Sequence, residues 1–328
     1  MSASEQHAAG GAPESPSTAP STLQLLRDYW QPRHWPAWLF ILWLKVTALL
    51  PWRATVALHY QLGRELWYLL PRSRRVMLRN LEVCLPQLSQ AEREALARAH
   101  FRNLGASIGE VAVAWFGTAP RTRPPVRVEG IEHLRAALAH GTGVILYTGH
   151  FTSVEIATQF LKPLIPRFAF MFTPRNSPVL DAFQTRGRQR TGHVPLPSTA
   201  IRGLVRELTR NAVVWYAPDL AYASKNAELV PFFGEPAMTN TGASRLARLS
   251  GAIVVPLYFR RLDGGAGYLL RFAPPLADFP SDDVREDTRR LTEVLESFIR
   301  ECPEQYFWTQ RKFKNRGAGL PDIYARRS

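Results

Sequence analysis

From residue 126 onward, short apolar runs of strand length alternate with helical segments, and this alternation restricts the fold more than any other feature. Residues 126–128, 143–148, 213–217, 252–259 and 268–272 read as strands. Residues 132–140, 153–161, 201–210 and 241–250 carry helical spacing, and 283–302 closes the series with a further helix. Parallel strands need long crossovers, usually helices, so the expected fold is α/β with a mostly parallel central sheet flanked by helices. Upstream, Ser89-Gln-Ala-Glu92 is a capping box, and Leu96, His100, Leu104, Ile108, Val111 and Trp115 follow at helical intervals. Pro120, Pro124 and Pro125 end that pattern.

Residues 1–22 are small, polar and rich in Pro and Gly, with neither apolar periodicity nor the basic and apolar regions of a cleavable signal; a disordered tail is expected. Residues 37–50 are almost wholly apolar, bounded by Pro36 and Pro51 and interrupted by Lys45. As a helix rising about 1.5 Å per residue they reach about 21 Å, short of the roughly 30 Å of a hydrocarbon core. A helix lying in the membrane surface, a span completed by flanking residues, and a buried core helix all fit that length. Trp30, Trp35, Trp38 and Trp43, with a basic stretch beginning at Arg53, favour the membrane.

The net charge is +14, from 41 basic and 27 acidic residues. It is concentrated in segments 53–79, 175–210 and 311–328, each carrying a net +5, while the rest of the chain is close to neutral. Such patches suit an anionic partner: nucleic acid, acidic protein or a phospholipid surface. Cys84 and Cys302 are too few for a disulfide framework or a cysteine-based zinc site, which points to a reducing compartment.

The sharpest local feature is Tyr147-Thr-Gly-His150-Phe-Thr-Ser153-Val-Glu155, which follows an apolar strand and opens a helix. Ligands and catalytic groups gather at the carboxyl ends of strands in such sheets. With His150 in the turn and Glu155 in the first helical turn, the carboxylate can reach back to the imidazole and raise its basicity as a general base. Thr152-Ser-Val-Glu155 is equally a capping box, in which Glu155 only satisfies the helix start. Arg186, Arg188 and Arg190 stand at alternate positions; an extended segment would align them as one cationic comb, and a solvated basic face is the plainer alternative. Asp219, in Trp215-Tyr-Ala-Pro-Asp219, is either a strand-end acid or a turn aspartate.

Taken in order, GHFTSVE, TPRN followed by QTRGRQR, WYAPD, VPFFG, TNTGASRLARLSGA and PEQYFWTQRKFK resemble the lipid A late acyltransferases, the lauroyl and myristoyl transferases of the Kdo-lipid A pathway. The likeness runs from about residue 25 to 320 and includes WPAWLFILWL and RNLEVCLP. It implies acyl transfer from acyl carrier protein to a hydroxyl of a Kdo-bearing lipid A precursor, at the cytoplasmic side of a bacterial inner membrane. It carries the family's catalytic His-x4-acid dyad onto His150 and Glu155, and its arginine and third-block acid onto Arg175 and Asp219. Cys302 stands where the family usually has Asn or Ala before Pro-Glu-Gln-Tyr, a change away from the chemistry.

On this reading residues 23–52 anchor the chain, 53–320 form the acyltransferase domain and 321–328 a tail. Arg175, Arg186, Arg188, Arg190 and Asp219 bind substrate, and backbone amides at the start of the Ser153 helix stabilise the oxyanion. Anionic phospholipid is a partner and nucleic acid is not; neither cofactor nor metal is called for. The Gly-x-Ser-x-Gly match at Gly105–Gly109 falls inside the helical pattern that starts at Ser89, not on a strand-to-helix turn, so no nucleophile elbow is present, which argues against a covalent serine route. Two other readings stay open: a glycerolipid (lysophospholipid) acyltransferase, and a non-catalytic protein that binds anionic membranes.

Overall fold

The computed structural model describes residues 20–172, 176–190, 193–197, 200–221, 226–317 and 319–325. The N-terminal third is helical: α1 (Thr22–Asp28), α2 (Trp35–Thr47), α3 (Trp52–Leu69), α4 (Pro71–Cys84) and α5 (Gln90–Phe116). The alternation follows, as β1 (Val126–Glu129), α6 (Ile131–Ala139), β2 (Val144–Tyr147), α7 (Val154–Leu161), β3 (Phe168–Phe172), α8 (Pro178–Gln189), β4 (His193–Pro197), α9 (Ile201–Leu208) and β5 (Val213–Tyr216). A hairpin of β6 (Ala227–Phe232) and β7 (Glu235–Asn240) leads to α10 (Gly242–Ser250), β8 (Ile253–Arg261), β9 (Tyr268–Phe272) and α11 (Val284–Glu301).

The strands form a seven-stranded sheet in the order β1–β9–β8–β2–β5–β3–β4. Every neighbouring pair is parallel except β8 with β9, so the expected α/β architecture is present. All four residues of β2 and of β5 are buried, which is why both read as continuous apolar runs rather than alternating ones. The expected elements recur within a residue or two. The sequence reading passed over β3 and β4 and did not see helix α8.

The Ser89 capping box is present: the Ser89 hydroxyl accepts from the Glu92 N–H at 3.3 Å, and the Ser89 N–H donates to the Glu92 carboxylate at 2.7 Å. The deepest face of α5 is lined by small residues, Ala97, Gly105, Ala106 and Gly109, more than by the large apolar side chains. A Cβ added at Gly105 would overlap the Gly63 Cα and the His59 carbonyl oxygen of α3. The two backbones therefore touch, and dispersion contacts between main chains replace side-chain interdigitation there. Beside this seam Trp67 and Phe101 meet edge to face at 5.7 Å.

Helix α2 buries Ile41, Leu44 and Thr47 but leaves Leu39, Leu42, Trp43 and Val46 exposed. It is thus neither wholly a core helix nor polar on its outer side. Among the described residues no helix is long and apolar enough to cross a membrane.

Candidate active site

The parallel pairing of β2 with β5 sets Tyr147 opposite Tyr216. Three residues further along each chain stand His150 and Asp219, carried past the carboxyl ends of adjacent strands by matched lengths of backbone. The Thr148 N–H donates to the Tyr216 carbonyl at 3.0 Å and extends the ladder one step toward them. His150 Nδ1 lies 2.5 Å from Asp219 Oδ1, and the His150 main-chain N–H donates to Asp219 Oδ2 at 2.9 Å. Asp219 is fully buried while the imidazole keeps a third of its side-chain surface, so the pair opens outward on the histidine side. Gly149 permits this approach: an added Cβ would lie 2.6 Å from Leu295 Cδ1 and 3.2 Å from Asp219 Oδ2.

Burial alone would disfavour the charged imidazolium, but the charge and hydrogen bond of Asp219 outweigh it and hold the His150 pKa above its ordinary value, with Arg188 opposing. For Asp219, burial likewise opposes ionisation; the charge and hydrogen bonds of His150, with the charge of Lys312, hold its carboxyl below the ordinary value. A carboxylate on Nδ1 leaves Nε2 as the nitrogen able to take a proton.

Glu155 is not the partner of His150. Its buried carboxylate receives Arg188 through both Nε, at 3.2 Å, and Nη2, together with Gln184 Nε2 at 3.0 Å and Trp115 Nε1 at 3.2 Å. The capping box expected at Thr152–Glu155 is absent too: Ser153 is the N-cap and makes no side-chain cap bond. In the first turn of α7, Glu155 faces α5 and α8, whereas the turn before it carries His150 toward β5. Burial raises the cost of the Glu155 charge, yet the charge and bonds of Arg188, with Gln184 and Trp115, hold its pKa below the ordinary value.

The cationic comb is corrected as well, because its segment is helix α8. Ser177 caps it, accepting from the Leu180 N–H at 3.4 Å, Pro178 starts it, and Val179, Ala182, Phe183 and Gly187 form its buried stripe. Alternate residues on a helix point about 200° apart, so the three arginines part company. Arg186 donates to Thr22 Oγ1 at 2.8 Å and to the Pro20 carbonyl. Arg190 donates to the carbonyls of Trp115 and Gly117. Arg188 alone reaches the site, lying over the Phe170 ring at 4.7 Å and near enough for its charge to lower the His150 pKa. Arg175 lies outside the described residues.

Two further groups support the site and were missed from sequence. The segment after α11 clamps the His150 turn: the Thr152 N–H donates to the Gln305 carbonyl at 2.8 Å and the Phe307 N–H to the His150 carbonyl at 2.9 Å. The signal available was the density of aromatic and charged residues in PEQYFWTQRKFK. Second, buried Glu110 of α5 accepts from Arg261 Nε at 2.7 Å, the Tyr268 hydroxyl at 2.8 Å and the Ser153 hydroxyl at 3.2 Å, which ties the start of α7 to β8 and β9. Among the described residues no three His, Cys, Asp or Glu side chains gather as a metal site.

A histidine activated by a buried aspartate at a strand end can deprotonate a hydroxyl, and the neighbouring Arg188 can face an anion. A family model described as bacterial lipid A biosynthesis acyltransferase matches residues 24–315. The chain is 36% identical over 296 residues to the lipid A biosynthesis lauroyltransferase of Escherichia coli (strain K12), covering 89% of this chain and 96% of that one. It is 33% identical over 301 residues to the palmitoleoyltransferase of the same organism, 91% and 97% of the two chains, and 28% over 303 residues to its myristoyltransferase, 92% and 94%.

Proposed function

Since the chain belongs to the bacterial lipid A biosynthesis acyltransferases, we propose that it transfers a fatty acyl chain from an acyl carrier protein thioester to a hydroxyl of a Kdo-bearing lipid A precursor, with His150 as general base oriented by Asp219. His150 Nε2 removes the hydroxyl proton as that oxygen attacks the thioester carbonyl. The tetrahedral oxyanion collapses to the ester and expels the carrier's thiolate. The imidazolium returns its proton to that sulfur, so the enzyme ends as it began. Amides at the start of α7 stabilise the oxyanion in this scheme. Arg188, held by Glu155, is the cation offered to the acceptor phosphates, a part for which the family resemblance also proposes Arg175.

The observation that carries this reading is the His150–Asp219 pair past the ends of β2 and β5. The exposed apolar face of α2, with Trp30, Trp35 and Trp43 also exposed, supports seating in the membrane surface, which we place at the cytoplasmic side of the inner membrane. The test incubates lipid A precursor with an acyl carrier protein thioester and follows the acylated product by mass spectrometry. His150→Ala is expected to lose at least about a hundredfold in kcat. A rate within about threefold of the parent would overturn His150 as the base. Transfer to a lysophospholipid in place of the precursor would move the enzyme to glycerolipid chemistry.

A further inference from the structure

Lys312 is 3% exposed, an unusual place for an ammonium group. Its Nζ donates to the main-chain carbonyl of Asp219 at 2.9 Å and lies 4.9 Å from the centre of the Phe232 ring. The ionisable groups around it are Asp219 after β5, Cys84 on α4 and Glu296 on α11. Two of these are engaged elsewhere: Glu296 accepts from the Phe233 N–H at 2.7 Å and pairs with Arg300 at 3.3 Å, and burial drives the Cys84 thiol up, away from ionisation. Tyr306, also against Asp219, is kept neutral by burial and by that carboxylate. Gln310 completes the arrangement: its amide nitrogen donates to the Asp219 carbonyl at 3.4 Å and its oxygen accepts from the Ala221 N–H at 3.3 Å. Asp219 therefore meets the imidazole at its carboxylate and the ammonium at its main-chain carbonyl.

We propose that Lys312 is a positioning residue for the His150–Asp219 pair, fixing the Asp219 backbone and supplying the positive charge that keeps its carboxylate ionised behind the imidazole. The inference rests on His150 being the base. Two consequences follow from the signs of the charges. A positive neighbour disfavours a second positive charge on His150, so removing it raises the imidazole pKa. Lys312 must also keep its own proton, and burial lowers its pKa to about 8 against the raising influence of Asp219, Cys84 and Glu296. Turnover should then fall at mildly alkaline pH as that proton is lost.

The experiment measures kcat and KM across both pH limbs for the parent enzyme, Lys312→Met, Lys312→Gln and Lys312→Arg, with lipid A precursor and an acyl carrier protein thioester as substrates. Lys312→Met should lose about tenfold to a hundredfold in kcat with KM within about twofold, and its acid limb should move to higher pH. Lys312→Arg should keep the parent's acid limb and push the alkaline fall upward, because a guanidinium does not titrate there. A loss of kcat in Lys312→Met with the acid limb unmoved would mark a merely structural lysine and overturn the proposal, as would the parent's kcat retained. If the Met variant does not fold, Lys312→Gln replaces it under the same criteria. An alkaline limb identical in Lys and Arg enzymes also overturns it. His150→Ala is run alongside: activity retained there refutes the base itself, whereas activity lost there with unshifted Lys312 limbs refutes only the lysine's role.

Discussion

Asp219 receives both the ring nitrogen and the main-chain N–H of His150, so one carboxylate fixes the imidazole's position as well as its tautomer. The pH dependence follows. As the proposed base His150 works only when unprotonated, and its pKa is held above the ordinary 6.5, so kcat/KM should fall as pH drops through a value higher than that of a free histidine. Asp219→Asn removes the charge that raises it and leaves burial and Arg188, both of which lower it. The acid limb should move to lower pH while the plateau drops by a factor on the order of 10³–10⁴, as when an imidazole loses its orienting acid. Steady-state profiles of the two enzymes check both signs, and a limb that stays put or moves up would dissociate Asp219 from the base.

Glu155→Ala should act chiefly on stability and acceptor affinity. It removes the carboxylate that the mostly buried Arg188 meets through both Nε and Nη2, and breaking a buried pair of this kind costs about 3–5 kcal/mol. The double variant Glu155→Ala/Arg188→Met should recover part of that loss in a thermal melt. Below the melting transition, KM for the lipid acceptor should rise more than kcat falls. A kcat as low as that of His150→Ala at unchanged KM would mean that Glu155 acts on the base after all.

Gly105→Leu should force α3 and α5 apart, because even a Cβ there meets main-chain atoms of Gly63 and His59. Overpacking of this kind costs about 1–3 kcal/mol and more where the obstacle is backbone. Chemical denaturation is the measurement. The same substitution at Gly203 of α9, where an added Cβ meets only side-chain atoms at 3.6 Å and φ is not positive, controls for composition.

The outer face of α2 should govern membrane binding. Leu39→Glu and Val46→Glu replace side chains that are 65% and 52% exposed, so the melting temperature should hardly change. Each removes an apolar group whose burial is worth about 1.5–3 kcal/mol, so sedimentation with vesicles of anionic phospholipid should weaken by about tenfold or more per substitution. Undiminished sedimentation of the double variant would place the contact elsewhere.

The strands at the centre of the sheet were legible because they are buried on both faces and so appear as unbroken apolar runs, as in Val144–Tyr147 and Val213–Tyr216. Helix α8 was not, because arginines at alternate positions imitate an extended strand while its true signal, Ser177 with Pro178 ahead of a buried stripe, is short. His150 was found from its place at a strand end. Its partner was not, since the nearest acid in sequence is Glu155, and only the register of Tyr147 with Tyr216 brings in Asp219 from sixty-nine residues away. A pairing set by strand register leaves no trace in local spacing. Lys312 was invisible for the same reason: a lysine in a basic tail reads as a solvated charge until a fold closes over it.

The clamp of residues 305–312 over the His150 turn and behind Asp219 bears on when the enzyme comes into being during synthesis. The sheet strands bearing His150 and Asp219 leave the ribosome well before the segment that braces them. A nascent chain released short of Gln305 holds both members of the pair but lacks the backbone partners that lock the turn in place. Acyl transfer should therefore switch on only once the segment through Lys312 has emerged and folded over the pair, with no active shorter fragment preceding it.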